Sequence, residues 1–267
     1  MDAETFLGLE PGDDDRHWRL PVVQGISTGG GFLFGGAGLG AAVAAMEGTT
    51  GRPIVWATAQ YLSYARPPSV LDIEVTVAVH GHQISQARAV GRVDGDEILT
   101  VNAALGRRPL EATGQWSVRP QVPGPEECEP RMHWRGNLND ISSRLDTRVA
   151  TGRVFHELDG SPSTDGRSAL WVRMPDLLEM SGPALAVFGD YVPFGIGQAL
   201  GARAGGNSLD NTIRVAQLVP TEWVLLDIRI HAVSHGFGHG LVHMWAEDGT
   251  LLGTASQSAI VRFWKDL

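Results

Sequence analysis

The sequence is poor in the features that mark secreted and membrane-embedded proteins. It contains one cysteine, Cys128, so no disulfide can form within the chain. No apolar run approaches the roughly 20 residues of a transmembrane helix. The acidic start, MDAETFLGLEPGDDD, lacks the positive and apolar regions of a signal peptide. We therefore expect a cytoplasmic protein without a membrane span.

Positive charge is also scarce. The chain has 21 Lys and Arg residues against 30 Asp and Glu residues, which leaves a formal net charge of −9. Such a surface repels the phosphates of nucleic acids and of anionic lipids. This balance argues against general binding of nucleic acids or anionic membranes, but it leaves room for a local basic pocket that holds a phosphate-bearing ligand.

What the sequence does contain is an internal duplication. Segments of the first half recur in the second half at an offset of 154 residues, or 155 in one case. The matched pairs are Arg19–Pro21 with Arg173–Pro175, Phe34-Gly35 with Phe188-Gly189, Leu71–Val75 with Leu226–Ile230, and Asp94-Gly95 with Asp248-Gly249. A period this long indicates two copies of one domain, not a solenoid.

Each copy has the pattern of one helix followed by antiparallel strands. The glycine- and alanine-rich segment from about Gly31 to Glu47 is apolar on all sides, which predicts a buried helix. Alternating apolar residues in Leu71–His80 predict a half-buried strand, and Asp94-Gly95 predicts a hairpin turn. Together these signals predict an α+β fold for each copy.

A proline-rich stretch divides the chain. We predict an N-terminal copy in residues 1–110, an irregular crossover in residues 111–136, and a C-terminal copy in residues 137–267. The alternation in Leu145–Phe155 predicts the opening strand of the second copy.

The two copies differ in polarity at two matching positions. The segment Val187–Leu200 predicts a buried helix with Asp190 at its mouth, whereas Gly36 stands at the matching position of the first copy. On the last strand, Gln257 shares a face with apolar residues, and its match is Ala103. Asp190 can be explained as a helix N-cap and Gln257 as a hydrogen-bonded strand amide. Their joint presence in one copy favours a functional site.

One motif suggests a different chemistry. Gly25–Gly29 fits the GxSxG nucleophile elbow of serine hydrolases, with Ser27 as the nucleophile. Only 24 residues precede Gly25, too few for the sheet that normally carries the elbow. A turn before the first helix explains the motif better.

Three further patterns fit known sites poorly. Gly36–Gly40 lacks the βαβ unit and the acidic partner of a dinucleotide-binding turn. Cys128 has no nearby cation to lower its thiol pKa. The third pattern is a spacing of four between His235, His239 and His243. The glycine-rich, strand-like sequence around them disfavours a helix that could bind a metal on one face.

The motifs of both copies resemble those of the type II acyl-CoA thioesterases, a double-hotdog family. The resemblance spans nearly the whole chain and rests on Gly29–Gly31, Phe34–Gly36, Tyr61–Pro67, Ala169–Pro175, Trp223–Asp227 and Glu247–Arg262. It implies two hotdog copies, each a central helix wrapped by an antiparallel sheet. It also implies a role in fatty acid metabolism.

The resemblance further implies a catalytic set. The family uses an Asp near the second-copy helix, a Thr or Ser on the next strand and a Gln on the last strand. These fall on Asp190, Ser208 and Gln257, with Asn207 and Asp210 close to the Ser208 position. The expected reaction is hydrolysis of an acyl-CoA by water that Asp190 activates, without a covalent intermediate, cofactor or metal.

Stabilisation of the oxyanion is expected from the first copy. Backbone N–H groups around Gly35 and Gly36, at the start of the first helix, suit that task. A non-catalytic acyl-CoA- or lipid-binding hotdog protein and a serine hydrolase using Ser27 are the alternatives. The expected partner is the acyl-CoA substrate, and homo-oligomer formation stays open.

Overall fold

The computed structural model describes residues 1–131, 139–177 and 179–264. The first copy contains α1 (Ala3–Leu7), β1 (Glu10–Pro11), β2 (His17–Val22), α2 (Gly35–Thr50), β3 (Ile54–Tyr61), β4 (Ser69–His80), β5 (Ile84–Val93) and β6 (Asp96–Gly106). The rest of the chain contains β7 (Glu129–Pro130), β8 (Asp146–Thr151), β9 (Arg167–Arg173), α3 (Gly182–Phe188), α4 (Val192–Leu200), β10 (Ala204–Ser208), β11 (Asp210–Val215), β12 (Val224–Ser234), β13 (Phe237–Ala246) and β14 (Leu251–Phe263). Short 3-10 turns lie at Gln24–Ile26, Pro125–Glu127, Ile141–Arg144 and Phe155–Glu157.

Both copies use the same strand order. The first runs β2-β4-β5-β6-β3 and the second β9-β12-β13-β14-β11, with antiparallel neighbours throughout. The helix α2 packs on the first set of strands and α4 on the second. At the centre β3 pairs with β11, so one continuous sheet joins the copies. The predicted α+β double-hotdog fold is confirmed. The boundaries at residues 110 and 136 stay a prediction.

A pseudo-two-fold axis passes between the copies. Thr58 on β3 pairs with Thr212 on β11, which is its own match in the duplication, and their hydroxyl oxygens lie 2.6 Å apart. Two matching residues can face each other in this way only near a two-fold axis. The same operation brings Gly36 against Asp190, the position at which the copies differ.

The hairpins predicted from Asp-Gly pairs are confirmed. Asp94 and Gly95 have φ angles of 52° and 91°, as a two-residue turn between β5 and β6 requires. The turn between β13 and β14 contains Gly249 with a φ of 93°.

The helix predicted with Asp190 at its mouth exists as α4, but the first residues of the segment Val187–Leu200 belong to a second helix, α3. The helix α3 ends at Phe188 and α4 begins at Val192, with Gly189–Tyr191 between them. Pro193 explains the break, because it has no N–H to bond the carbonyl four residues earlier and its ring would clash with that carbonyl. In the first turn of α4 the missing N–H has no cost.

The first pair in the repeat alignment is shifted. Leu20 and Leu170 are true counterparts, since they pair with Leu71 on β4 and Leu226 on β12, which match each other in the duplication. The sequence match had instead chosen Met174. Four extra residues before Gly189 in the second copy accommodate α3. The strand predicted in Leu145–Phe155 exists as β8, but β9 holds the opening position and β8 lies outside it.

Small residues let α2 approach α3 closely. A Cβ added at Gly40 would lie 3.0 Å from the backbone carbonyl oxygen of Pro183, which cannot yield without moving α3. A Cβ added at Gly38 would lie 3.0 Å from a methyl group of Leu99, the mobile end of a side chain. A side chain at position 40 would therefore collide with backbone, whereas one at position 38 would meet a side chain that can shift.

We expect Gly40→Ala to lower the free energy of unfolding by about 1–3 kcal/mol, because the cost of overpacking exceeds the gain of about 1 kcal/mol in helix propensity. Gly38→Ala is the matched control, and we expect it to be neutral or stabilising. Urea unfolding of both variants checks this. Equal stabilisation by both would show that α2 and α3 are not in rigid contact.

Candidate functional site

The break between α3 and α4 carries a buried carboxylate. Asp190 is 6% exposed, and its Oδ2 accepts a hydrogen bond of 2.7 Å from the backbone N–H of Gly36. The N-cap of α4 is Tyr191, so the interpretation of Asp190 as the cap of its own helix is wrong. Asp190 instead binds a free N–H in the first turn of α2, the helix of the other copy.

Two further side chains meet the other oxygen of this carboxylate. Asp190 Oδ1 accepts a short hydrogen bond from Gln257 Nε2 and one of 3.3 Å from Ser208 Oγ. Gln257 Nε2 also donates to Ser208 Oγ at 3.1 Å, and its Oε1 accepts from the N–H of Val192 at 3.1 Å. The structure thus brings together the three residues that the sequence nominated. Their catalytic roles stay a prediction.

The neighbours of Ser208 have other partners. Asn207 Nδ2 donates to the hydroxyl of Tyr64, and Asp210 Oδ1 accepts from the N–H of Ser258 at 2.7 Å. Of these three strand residues, Ser208 is the one with a hydrogen bond to Asp190 among the described contacts.

Burial sets the electrostatics of the site. Desolvation raises the pKa of Asp190, and the hydrogen bonds from Gln257, Gly36 and Ser208 oppose the rise without cancelling it. A carboxylate with a raised pKa is a stronger base than an exposed aspartate.

This raised pKa predicts how stability depends on pH. The folded state holds the Asp190 proton more tightly than the unfolded state, so its contribution is present at low pH and is lost as pH rises from about 4 through the folded pKa. We expect the stability of wild type to fall relative to Asp190→Asn over this range. Urea unfolding of both proteins between pH 4 and 8 measures the difference. A constant difference would contradict a raised pKa.

Tyr61 completes the site, and the sequence did not single out its role. Its hydroxyl donates to the carbonyl oxygen of Gly35 at 2.8 Å. Burial, with the charges of Asp190 and Asp210, raises the pKa of the phenol well above its ordinary value. Tyr61 lies within the quoted YLSYARP motif, but only the tertiary structure shows what its hydroxyl contacts.

The two glycines expected to bind an oxyanion have different surroundings. The N–H of Gly36 is already bound to Asp190, so the expectation that it is a free donor is wrong. The N–H of Gly35 has no acceptor among the described residues. A Cβ at Gly35 would lie 2.7 Å from Asp190 Oδ2, so glycine keeps that oxygen accessible.

Asp190, Ser208 and Gly35 line a cavity of about 390 Å³ between the copies. Most of its lining is apolar, for example Leu33, Ile98, Leu99, Leu145, Val149 and Phe194. Arg131 adds a cation, with its guanidinium 4.7 Å from the centre of the Phe194 ring. Burial lowers the pKa of this arginine. The cavity therefore suits an apolar chain with a polar group near Asp190.

The other motifs have local structural roles. Ser27 is fully buried and donates to the carbonyl of Val23 at 2.8 Å. Cys128 is buried in a small cluster with Trp171 and Trp223, apart from the main core, and burial raises the pKa of its thiol.

The three histidines have separate surroundings. His235 bonds Ser234, His239 bonds Ser258, and His243 stacks on Trp245. The described residues include no group of three or more His, Cys, Asp or Glu side chains placed to hold a metal. None of the described helices combines the length and hydropathy that crossing a membrane requires.

Comparison with known proteins adds family evidence. The model of the acyl-CoA thioesterase C-terminal domain matches residues 125–261. The crystal structure of a candidate thioesterase from Novosphingobium aromaticivorans DSM 12444 is 32% identical and has a TM-score of 0.85, with 94% of this chain and 97% of that chain covered. A comparison with curated proteins found no match.

More distant structures share the fold. Acyl-CoA thioesterase II TesB2 from Mycobacterium marinum is 18% identical, with a TM-score of 0.76 over 98% of this chain and 99% of that chain. A hot dog fold protein from Alicyclobacillus acidocaldarius is 17% identical, with a TM-score of 0.83 over 99% of this chain and 98% of that chain.

Proposed function

The chain belongs to the acyl-CoA thioesterase family and is a thioester hydrolase, and we propose that it hydrolyses its acyl-CoA by water that Asp190 activates. The observation that carries this proposal is the buried carboxylate itself. It lies in an apolar cavity, three donors hold it in place, and its pKa is raised.

Counting lone pairs indicates where the water binds. Each carboxylate oxygen has about two acceptor sites. On Oδ1 of Asp190 both are taken, by Gln257 and Ser208, whereas Oδ2 accepts only the N–H of Gly36 among the described contacts. The water proton would therefore pass to Oδ2, on the side that Gly35 leaves open.

Ser208 would hold the same water. Its hydroxyl donates to Asp190 and accepts from Gln257, so one lone pair is left for a hydrogen of the water. The nucleophilic oxygen would thus be held between Asp190 and Ser208. Gln257 acts by keeping both side chains in position, because its own carbonyl oxygen is anchored to the first turn of α4.

The thioester carbonyl would lie at the start of α2. The unoccupied N–H of Gly35 points from a helix N-terminus, where backbone dipoles favour negative charge. Gly36 would serve differently, by orienting the base. In this scheme the second copy activates the water and the first copy stabilises the oxyanion. The acyl chain would occupy the apolar part of the cavity.

We expect Asp190→Asn to lower kcat by roughly 10²–10⁴-fold, since an amide cannot accept the water proton. Ser208→Ala should cost less, because Asp190 still activates water that is less well held. Release of CoA thiol from a panel of acyl-CoAs measures both. Ser27→Ala is the matched serine control and should retain wild-type turnover.

Other outcomes would favour the alternatives. Unchanged turnover in Asp190→Asn would remove the water mechanism. Labelling of Ser27 by a fluorophosphonate probe would favour a serine hydrolase. Saturable acyl-CoA binding without hydrolysis at any chain length would indicate a non-catalytic binding protein.

Gly35→Ala tests the space beside the base. The added Cβ would lie 2.7 Å from Asp190 Oδ2, where the water is proposed to bind. We expect turnover to fall at least as far as in Asp190→Asn while the fold is kept, as circular dichroism can verify. Wild-type turnover in this variant would contradict water binding on that side.

A further inference from the structure

We propose that Tyr61 is a positioning residue whose hydroxyl, supported by Asn211, orients and polarises the Gly35–Gly36 peptide so that its N–H holds Asp190 Oδ2. The consequence for catalysis rests on the proposed function. The positioning itself does not, since it concerns the orientation and the pKa of the Asp190 carboxylate, which are measured without turnover.

The geometry joins Tyr61 to Asp190 through one peptide group. The carbonyl of Gly35 accepts from the Tyr61 hydroxyl at 2.8 Å, and the N–H of Gly36 donates to Asp190 at 2.7 Å. That carbonyl and that N–H are the two ends of a single planar peptide unit. The phenol and the carboxylate therefore hold opposite ends of one rigid group.

Such a chain of hydrogen bonds is cooperative. A donor on a peptide carbonyl increases the polarity of the N–H at the other end, and a buried site strengthens the effect. A more polar N–H stabilises the charged form of Asp190, which lowers its pKa. The Tyr61 hydroxyl thereby limits the rise in the Asp190 pKa that burial imposes.

Asn211 gives the second, independent observation. It is fully buried on β11, and neither of its amide atoms has a hydrogen-bond partner in the described part of the chain. It lies close enough to the phenol of Tyr61 to lower the pKa of that group, although the two side chains do not meet regular hydrogen-bond geometry. A buried amide without hydrogen-bond partners lowers stability, so a role at the site is a reason for its presence.

Like the catalytic candidates Asp190 and Gln257, Asn211 is a polar residue whose match in the first copy is a small residue. Its match in the first copy is Ala57, which pairs with Ala103. The pairing of β11 with β14, continued by one residue, places Asn211 opposite Gln257. Three small residues of the first copy, Gly36, Ala57 and Ala103, thus correspond to Asp190, Asn211 and Gln257 in the second.

The other titratable groups that face this part of the site are two phenols, a guanidinium and a second carboxylate. Burial raises the pKa of Tyr191 to about 12 and that of Tyr61 well above its ordinary value, so both phenols stay neutral. The guanidinium is that of Arg131, whose pKa burial lowers. The carboxylate is that of Asp210 on β11, whose charge acts on Tyr61.

The test is to remove the hydroxyl alone, with Tyr61→Phe, and to follow the Asp190 carboxyl carbon by ¹³C NMR as a function of pH. The Asp190 signal is the one absent from Asp190→Asn. We expect its pKa to rise in Tyr61→Phe, kcat to fall roughly tenfold with KM unchanged, and the acid limb of the kcat profile to move to higher pH. Asn211→Ala should shift the same pKa in the same direction by less.

Thr50→Val is the matched control, because its hydroxyl donates to the backbone carbonyl of Met46 at the far end of the same helix. It should change neither the Asp190 pKa nor kcat. An unchanged Asp190 pKa in Tyr61→Phe, or an equal shift in Thr50→Val, would overturn the proposal. If wild type hydrolyses no acyl-CoA, the proposed function fails, and the NMR titration still decides the positioning role.

Discussion

The hydrogen bond between the N–H of Gly36 and the carboxylate of Asp190 is the contact on which the site depends. It joins matching positions of the two copies beside the pseudo-two-fold axis. A helix N-terminus has free N–H groups and a positive dipole end, and a carboxylate satisfies both. Here the helix comes from one copy and the carboxylate from the other. Neither copy contains the site without its partner.

The same contact explains why the two copies must differ. A side chain at Gly36 would lie 3.0 Å from Asp190 Cβ and 2.9 Å from the carbonyl of Ala186. A second aspartate there would therefore overlap its match, and the two charges would repel each other in a desolvated site. A duplicated chain avoids this conflict, because each copy can change alone. The polar residues stand in the second copy and small residues stand at the matching positions of the first.

Most of the fold followed from local patterns. The strands and hairpin turns of each copy follow from apolar periodicity and Asp-Gly pairs, which act over a few residues, and the duplication follows from segments that recur at an offset of about 154. The errors came where the copies diverge in length. The helix α3 lies ahead of α4 and adds residues to the second copy, so Leu170 and not Met174 matches Leu20. When one copy contains an inserted segment and the other does not, matching the two sequences does not show where the insertion begins and ends.

The sequence by itself determined which residue types the site contains, because Asp190 and Gln257 stand out against a small-residue copy of the same domain. Only the tertiary structure decided what each contacts. Asp190 accepts a hydrogen bond from the helix of the other copy instead of capping its own, and the donor is the N–H of Gly36. Tyr61, at the end of β3, donates to the carbonyl of the same Gly35–Gly36 peptide. The physical reason is that hydrogen bonds across a domain interface depend on side-chain direction and strand register. Those quantities are set by packing between segments that are 26 to 154 residues apart in the chain, which no local pattern records.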